Sequence, residues 1–203
     1  MIDPSYQDHL LHVQKRKEAL RELIRSDLAE SMAKRPFLVL EIGCGHGHFL
    51  SAYARSRPEH FCLGLDILAS RLKKAQKRCE GLENTVFVKA EAEECLEVLD
   101  PSFKIGALYI LFPDPWPKRK HSDNRLIQKD FLELLKQRLS LGAKVYFRTD
   151  HKPYFEWAFR LFAADADWQL NPGEAWPIDV PTYFQTLTGG RYDSFVATLT
   201  RTH

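Results

Sequence analysis

Phe37-Leu38-Val39-Leu40-Glu41-Ile42-Gly43-Cys44-Gly45-His46-Gly47 decides the fold. Its first half is a continuous apolar run without polar alternation, the pattern of a parallel strand buried on both faces. It then breaks into alternate glycines, which allow a tight turn and let a ligand lie directly on the backbone. Helical spacing resumes at His48, so strand, glycine turn and helix form one βα unit. Four more runs of strand character follow at residues 61–67, 85–88, 105–112 and 144–148. Helical segments at 48–56, 69–79, 91–99, 125–139 and 154–164 alternate with them. Repeated βα units of this length predict an α/β fold, a doubly wound and mostly parallel sheet with helices on both faces.

The two ends of the chain read differently. Residues 9–32 carry Leu10, Leu11, Val13, Leu20, Leu23, Ile24 and Leu28 at helical spacing, with Lys15, Arg16, Lys17, Arg21 and Arg25 between them. At the other end, residues 182–186 and 194–200 read as two strands joined through Gly189-Gly190, a closing hairpin with a C-terminal antiparallel strand. They bring the expected sheet to seven strands. Residues 165–181, rich in Trp and Pro, read as a long ordered loop.

A chain of 203 residues that is 44% hydrophobic and 12% aromatic can bury one substantial core, which predicts a single domain. The sequence offers no membrane-length apolar stretch, and Met1-Ile2-Asp3-Pro4 does not open a signal sequence. The cysteines Cys44, Cys62, Cys79 and Cys95 are scattered, without a CxxC pair, which argues against a disulfide framework or zinc knuckle and for a cytoplasmic protein. A net charge of +2 means that any nucleic acid must be held by local patches.

The glycine turn narrows the ligand. A dinucleotide fingerprint needs its third glycine at position 48, where this chain has His48. Glu41 suits a cationic amino group rather than a pyrophosphate. Asp66 ends the second run, where an acid can accept hydrogen bonds from ribose hydroxyls, and Glu91 follows the third, toward a base. Each of these acids could instead cap the helix that follows it. Cys44, His46 and His48 do not make a metal site, because alternate residues of the turn point apart and no further ligand is near. Cys44 is expected to pack beneath the bound ligand.

A second stretch speaks to the other reactant: Leu111-Phe112-Pro113-Asp114-Pro115-Trp116-Pro117-Lys118-Arg119-Lys120-His121. Each proline fixes its own φ and drives its predecessor out of the helical region, so Asp114 sits on a stiff loop at a strand's carboxyl end. A rigid carboxylate beside an aromatic face and a run of cations suits a flat base attached to a polyanion. Trp116 either stacks on that base or buttresses the loop. Lys118, Arg119, Lys120 and the first-helix cations are candidate phosphate contacts, the helical group being alternatively a solvated face. Asp150 lies just beyond the fifth run, either at the ligand edge or as a helix cap.

Acid-x-Gly-x-Gly-x-Gly resembles the cofactor loop of S-adenosylmethionine-dependent methyltransferases. The run from Phe112 to His121 and the helix after it closely resemble the signature of the tRNA (guanine-N7-)-methyltransferase family. The resemblance extends from about Pro36 to the C-terminus. It takes in Phe147-Arg148-Thr149-Asp150, Tyr154 and Pro181-Thr182-Tyr183-Phe184-Gln185. It implies a Rossmann-like domain over residues 36–203 with an N-terminal helical extension over 1–35. It further implies S-adenosylmethionine as cofactor, with Glu41, Gly43, Gly45, Asp66, Glu91 and Asp114 lining the cofactor and catalytic site. Lys118, Asp150, Thr182, Tyr183, Phe184 and Gln185 would then meet the guanosine or its surroundings in a tRNA substrate. No metal and no membrane enter the expectation, and the protein would be a monomer or homodimer. Three features depart from the family. Ala90-Glu91-Ala92 stands where Gly-Asp-Ala is usual, Gln185 stands where Glu is usual, and no arginine-rich arm is recognisable in residues 1–35. Two other readings remain. One is a methyltransferase of another target, although Pro115-Trp116 is one proline short of the Asn/Asp-Pro-Pro-aromatic turn of such enzymes. The other is a non-catalytic RNA-binding relative.

Overall fold

The structure is a computed structural model describing residues 4–23, 29–178, 180, 185 and 189–201. The chain opens with α1 (Pro4–Leu23) and α2 (Ala29–Lys34). It continues through β1 (Leu38–Ile42), α3 (His48–Ser56), β2 (Phe61–Asp66), α4 (Ala69–Arg78), β3 (Thr85–Lys89), α5 (Ala92–Val98) and β4 (Ile105–Leu111). A 3-10 helix (Arg119–Asn124) precedes α6 (Lys129–Arg138), β5 (Leu139–Thr149), α7 (Lys152–Ala163), β6 (Trp168–Asn171) and β7 (Asp193–Leu199).

The strands make one seven-stranded sheet in the order β3-β2-β1-β4-β5-β7-β6. β1 to β5 run parallel, and β7 is antiparallel to both of its neighbours. Successive strand residues feed opposite cores, which is why the runs are apolar throughout. Leu38 and Leu40 enter a cluster with Leu96 of α5, Leu132 and Leu135 of α6 and Phe162 of α7. Val39 between them enters a second cluster with Leu50 and Tyr53 of α3 and Leu72 and Ala75 of α4. Full burial of each such side chain contributes about 1.5–3 kcal/mol, so a one-residue register slip would be costly. No helix among the described residues is long and apolar enough to cross a membrane.

The helix expected over 9–32 is described as α1 up to Leu23 and as α2 from Ala29, and residues 24–28 between them lie outside the described residues. The structure departs from the sequence expectations in two places. The helix expected to begin at Arg125 begins at Lys129, because tertiary hydrogen bonds hold the preceding segment extended: Tyr154 Oη accepts from the Ile127 N–H at 3.1 Å, and Trp157 Nε1 donates to the Ile127 carbonyl at 2.8 Å. The segment 165–181 is not all loop, since it contains β6. β7 pairs with β5 on one side and β6 on the other, and of the strand expected at 182–186 only Gln185 is among the described residues.

Candidate active site

The order β3-β2-β1-β4-β5 reverses direction between β1 and β4, the switch point outside whose strand ends ligands bind in open α/β sheets. The glycine turn crosses that point. Gly43 has φ +72, and a Cβ built there meets nothing within 4 Å, so the turn leaves open space above the backbone. Gly47 has a different task, since a Cβ there would lie 2.8 Å from Ala75 Cβ, and its absence lets α3 pack closely on α4. Asp66 ties the turn to β2. Its Oδ2 accepts from the Gly45 N–H at 3.0 Å and its Oδ1 from the Leu68 N–H at 2.8 Å. Two of a carboxylate's roughly four acceptor positions are thereby used, leaving capacity for a ligand hydroxyl.

Glu41 is only 3% exposed. Its strand neighbours are Gly64 and Tyr109, and its Oε2 is buried without a hydrogen-bond partner. Desolvation pushes its pKa up to about 8, opposed by the Leu50 backbone amide and assisted by the charge of Asp66. A buried carboxyl kept largely neutral, with an orphaned oxygen facing a cavity, is what an incoming ammonium group would satisfy. That cavity, about 270 Å³, is lined by Glu41, Gly43, Cys44, Gly45, Phe49 and Phe112 among others. A second, of about 590 Å³, is lined by Asp66, Ile67, Glu91, Asp114 and Trp116 among others, and shares Gly43, Arg71, Leu111 and Phe112 with the first. Both fall near the about 300–1,000 Å³ typical of small-molecule sites. The glycine turn and the orphaned acid thus fit an amino-acid-bearing nucleoside cofactor laid across the two.

Asp114 is exposed in the larger cavity, on a loop flanked by two aromatics in the left-handed region, Phe112 at φ +52 and Trp116 at φ +43. Such backbone costs on the order of 1–3 kcal/mol per residue and persists only where the surroundings enforce it. They do so here from both sides. The Phe112 N–H donates to the Arg148 carbonyl at 2.8 Å, and Arg125 Nε donates to the Pro115 carbonyl at 2.9 Å. Arg125 is itself buried, with its guanidinium over the rings of Tyr154 and Trp157. Trp116 is 37% exposed and meets His121 edge-on at 5.9 Å, so one edge of the ring supports the loop while the ring also lines the cavity.

Other sequence candidates disperse. Glu91 stands at the N-cap position of α5 but makes no side-chain cap bond, and Asp150 loses the capping role to His151, whose Nδ1 accepts from the Tyr154 N–H at 3.2 Å. Lys118 and Asp150 are exposed and line neither cavity. Gln185 Oε1 accepts from Arg148 Nη1 at 3.0 Å, and the Arg148 guanidinium lies 4.1 Å from both the Trp176 and Tyr192 rings. Thr182, Tyr183 and Phe184 lie outside the described residues. Cys44 is buried in the smaller cavity's wall, where desolvation pushes its thiol pKa up. Among the described residues no group of three or more His, Cys, Asp or Glu could hold a metal ion.

The first-helix cations need correction. Arg16 pairs with Glu94 and Lys17 with Glu97, so these two join α1 to α5 rather than facing a substrate. Lys15 and Arg21 are exposed, and Arg25 lies outside the described residues. Two site residues escaped sequence reasoning. Arg71, 3.7 Å from Asp66, lines both cavities, and Arg125 fixes the catalytic-loop candidate. Arg71 could have been sought one helical turn after the acid, but Arg125 carried no local signal.

The chain matches a family model described as "Putative methyltransferase" over residues 35–191. A Deinococcus radiodurans protein named tRNA (guanine-N(7)-)-methyltransferase is 42% identical over 127 residues, covering 61% of this chain and 39% of the relative. A Thermus thermophilus protein of the same name is 37% identical over 123 residues, covering 60% and 40%. These alignments therefore span about two fifths of the relatives' length. Among solved structures, the 16S rRNA methyltransferase KamB superposes with a TM-score of 0.60 at 18% identity, covering 87% of this chain and 94% of that one. The plantazolicin methyltransferase BpumL in complex with SAH gives 0.55 at 14%, covering 98% and 91%. At such identities the structures speak for the fold alone, a Rossmann-like methyltransferase fold. The chain belongs to the methyltransferase family that the matching model describes, alongside curated relatives named tRNA (guanine-N(7)-)-methyltransferase.

Proposed function

We propose that this protein transfers a methyl group from S-adenosylmethionine to N7 of a guanosine in tRNA, in the variable loop by family resemblance. The observation that carries the reading is the pairing of two joined cavities, one holding the orphaned Glu41 carboxylate and the other the enforced Asp114 loop. The names of the relatives support the same target.

In this reading Glu41 holds the cofactor's ammonium, Gly43 and Gly45 lie under its amino-acid portion, Asp66 receives the ribose hydroxyls and Glu91 meets the adenine end. When bound, S-adenosylmethionine supplies a methyl on sulfonium sulfur, and the guanine N7 lone pair forms the N–C bond as the C–S bond breaks. N7 carries no proton, so no side chain need act as general base. Positioning is the main lever left to the protein, and it can supply roughly 7–11 kcal/mol. Positive charge reaches the purine during transfer, and a fixed Asp114 carboxylate is complementary to that change. The same carboxylate can accept from the guanine N1–H and N2–H₂ edge, which adenine lacks. Lys118 neutralises a neighbouring phosphate, and Asp150, with the stretch Thr182, Tyr183, Phe184 and Gln185, borders the nucleoside. Gln185 in this chain acts partly through Arg148. We assign residues 1–35 to a helical extension and 36–203 to the catalytic domain, working in the cytoplasm as monomer or homodimer.

Nucleoside analysis of tRNA after incubation with the protein and methyl-labelled cofactor tests the reading. Label in 7-methylguanosine is the expected result. Label in another nucleoside would move the target, and absence of label on tRNA bound by the protein would make it a binding relative.

A further inference from the structure

The docking surface for RNA has to be sought away from Arg16 and Lys17, and one helix stands out. α4 (Ala69–Arg78) reads Ala-Ser-Arg-Leu-Lys-Lys-Ala-Gln-Lys-Arg: five cations and no acid in ten residues, on a chain whose net charge is +2. Only Leu72 and Ala75 are buried, while Lys73, Lys74, Lys77 and Arg78 are exposed and Arg71 is half-buried. Neighbours at i+3 and i+4 on a helix repel when they carry the same charge, so this composition disfavours the helix it sits on. Exposed faces that serve only solubility mix both signs.

The placement gives the charge a purpose. Arg71, Lys74 and Arg78 form one stripe at i, i+3 and i+7, and that stripe borders the mouth of the smaller cavity. Arg71 lines the cavity itself. Arg78 Nε donates to the His46 carbonyl at 3.0 Å and its Nη2 lies 3.1 Å from His48 Nε2, both histidines being cavity-lining residues. Arg55 of α3 adds a further cation, donating to the Arg78 carbonyl at 2.7 Å. Burial, and after it the charges of Lys74, Arg71 and Arg78, holds the His46 pKa below the usual range, so the three cations converge on this rim. Among the described residues the one ion pair made by α4 is that of Arg71 with Asp66.

We propose that the exposed face of α4, Lys73, Lys74, Lys77 and Arg78, is a phosphate-backbone docking surface that holds RNA across the mouth of the cofactor cavity. A polyanion fits, because Lys73, Lys74, Lys77 and Arg78 make no ion pair with an acid among the described residues, and the helix's larger apolar residue, Leu72, is buried. This inference rests on the proposed RNA substrate and adds where that substrate is held.

The test compares two double charge reversals of equal net charge. Lys74→Glu with Lys77→Glu alters the α4 face, whereas Lys34→Glu with Lys104→Glu alters cations that precede the amino-terminal ends of the central strands β1 and β4. In α4 each new acid gains cationic neighbours, Arg71 and Arg78 for position 74 and Lys73 for position 77, so the melting temperature should hold or rise. Filter binding of tRNA across a salt series should show at least tenfold weaker binding at low salt for the α4 variant. Its log affinity against log salt should be flatter by about 0.7–0.9 per lost contact. KM for tRNA should rise while S-adenosylmethionine affinity stays at the parent value, and the control pair should change little. A parent that neither binds nor methylates tRNA would sink the functional reading itself. A parent that methylates tRNA, with an α4 variant matching its KM and salt slope, would overturn the docking surface alone. Equal losses in both double variants would reduce the effect to net charge and overturn it as well.

Discussion

Glu41→Gln should remove a pH dependence that the wild-type fold carries. Burial raises the Glu41 pKa from 4.5 to about 8, and at about 1.4 kcal/mol per unit this makes ionisation in the ligand-free protein cost roughly 5 kcal/mol. The sign follows from proton linkage. The folded state binds this proton more tightly than the unfolded chain does. The stabilisation is therefore complete below pH 4.5 and is lost as pH climbs through about 8. Glutamine keeps the shape of the protonated acid and has no proton to lose. Melting temperatures taken from pH 5 to 9 without cofactor should therefore diverge, the wild type falling relative to the variant by roughly 8–16 °C across the range, at about 2–4 °C per kcal/mol for a chain of this size. Cofactor should reverse the order at neutral pH, because an ammonium beside Oε2 makes the ionised acid the favoured form. Calorimetry near pH 7 in buffers of different ionisation enthalpy should then register close to one proton released per cofactor bound by the wild type, and none by the variant. Parallel melting curves, together with buffer-independent heats, would refute the assignment of Glu41 as the uncompensated acid.

Asp66→Ala should weaken S-adenosylmethionine binding by about 1.5–3 kcal/mol, the range for hydrogen bonds to a charged group, and calorimetry would read it directly. Asp114→Asn preserves the loop but not the charge. It should cut kcat on tRNA by tenfold or more at unchanged cofactor affinity, and wild-type turnover would reduce Asp114 to a turn residue. Arg125→Met keeps most of the buried volume while leaving the Pro115 carbonyl without its charged donor, at about 1.5–3 kcal/mol. Single-turnover rates should fall with the loop's precision, and an unchanged rate in a variant of lowered melting temperature would make Arg125 a packing residue only.

How much of this the sequence disclosed depended on whether a signal was local. The five parallel strands were legible because burial on both faces writes itself as an unbroken apolar run, and the glycine turn because its conformation needs that residue. β6 was not legible. It is a short edge strand of four residues, Trp168-Gln169-Leu170-Asn171, with no long periodic pattern, recruited by pairing with β7 across the sequence. The start of α6 was misread for the same reason, since the extended backbone at Ile127 is imposed by Tyr154 and Trp157 from α7. In the site, Glu41, Asp66, Glu91 and Asp114 were found by their position at strand ends, and the structure brings all four to the two joined cavities. Arg125 and the divided duties of the first-helix cations could not be found so, because their partners lie far along the chain.

The Arg148 guanidinium, held between Trp176 and Tyr192, closes a circuit of a different kind. Those two rings come from either side of residues 177–191, so a single buried cation clasps both ends of that segment. Once the ends of a segment are fixed, its length matters little to the fold, each doubling costing only about 0.6 kcal/mol in closure entropy. The segment can therefore be lengthened, shortened or exchanged between relatives while the sheet beneath it stays intact. Selection, or an engineer grafting new sequence, can thus rewrite what lies between 177 and 191 without rebuilding the scaffold, provided Arg148 and its two aromatic partners are kept.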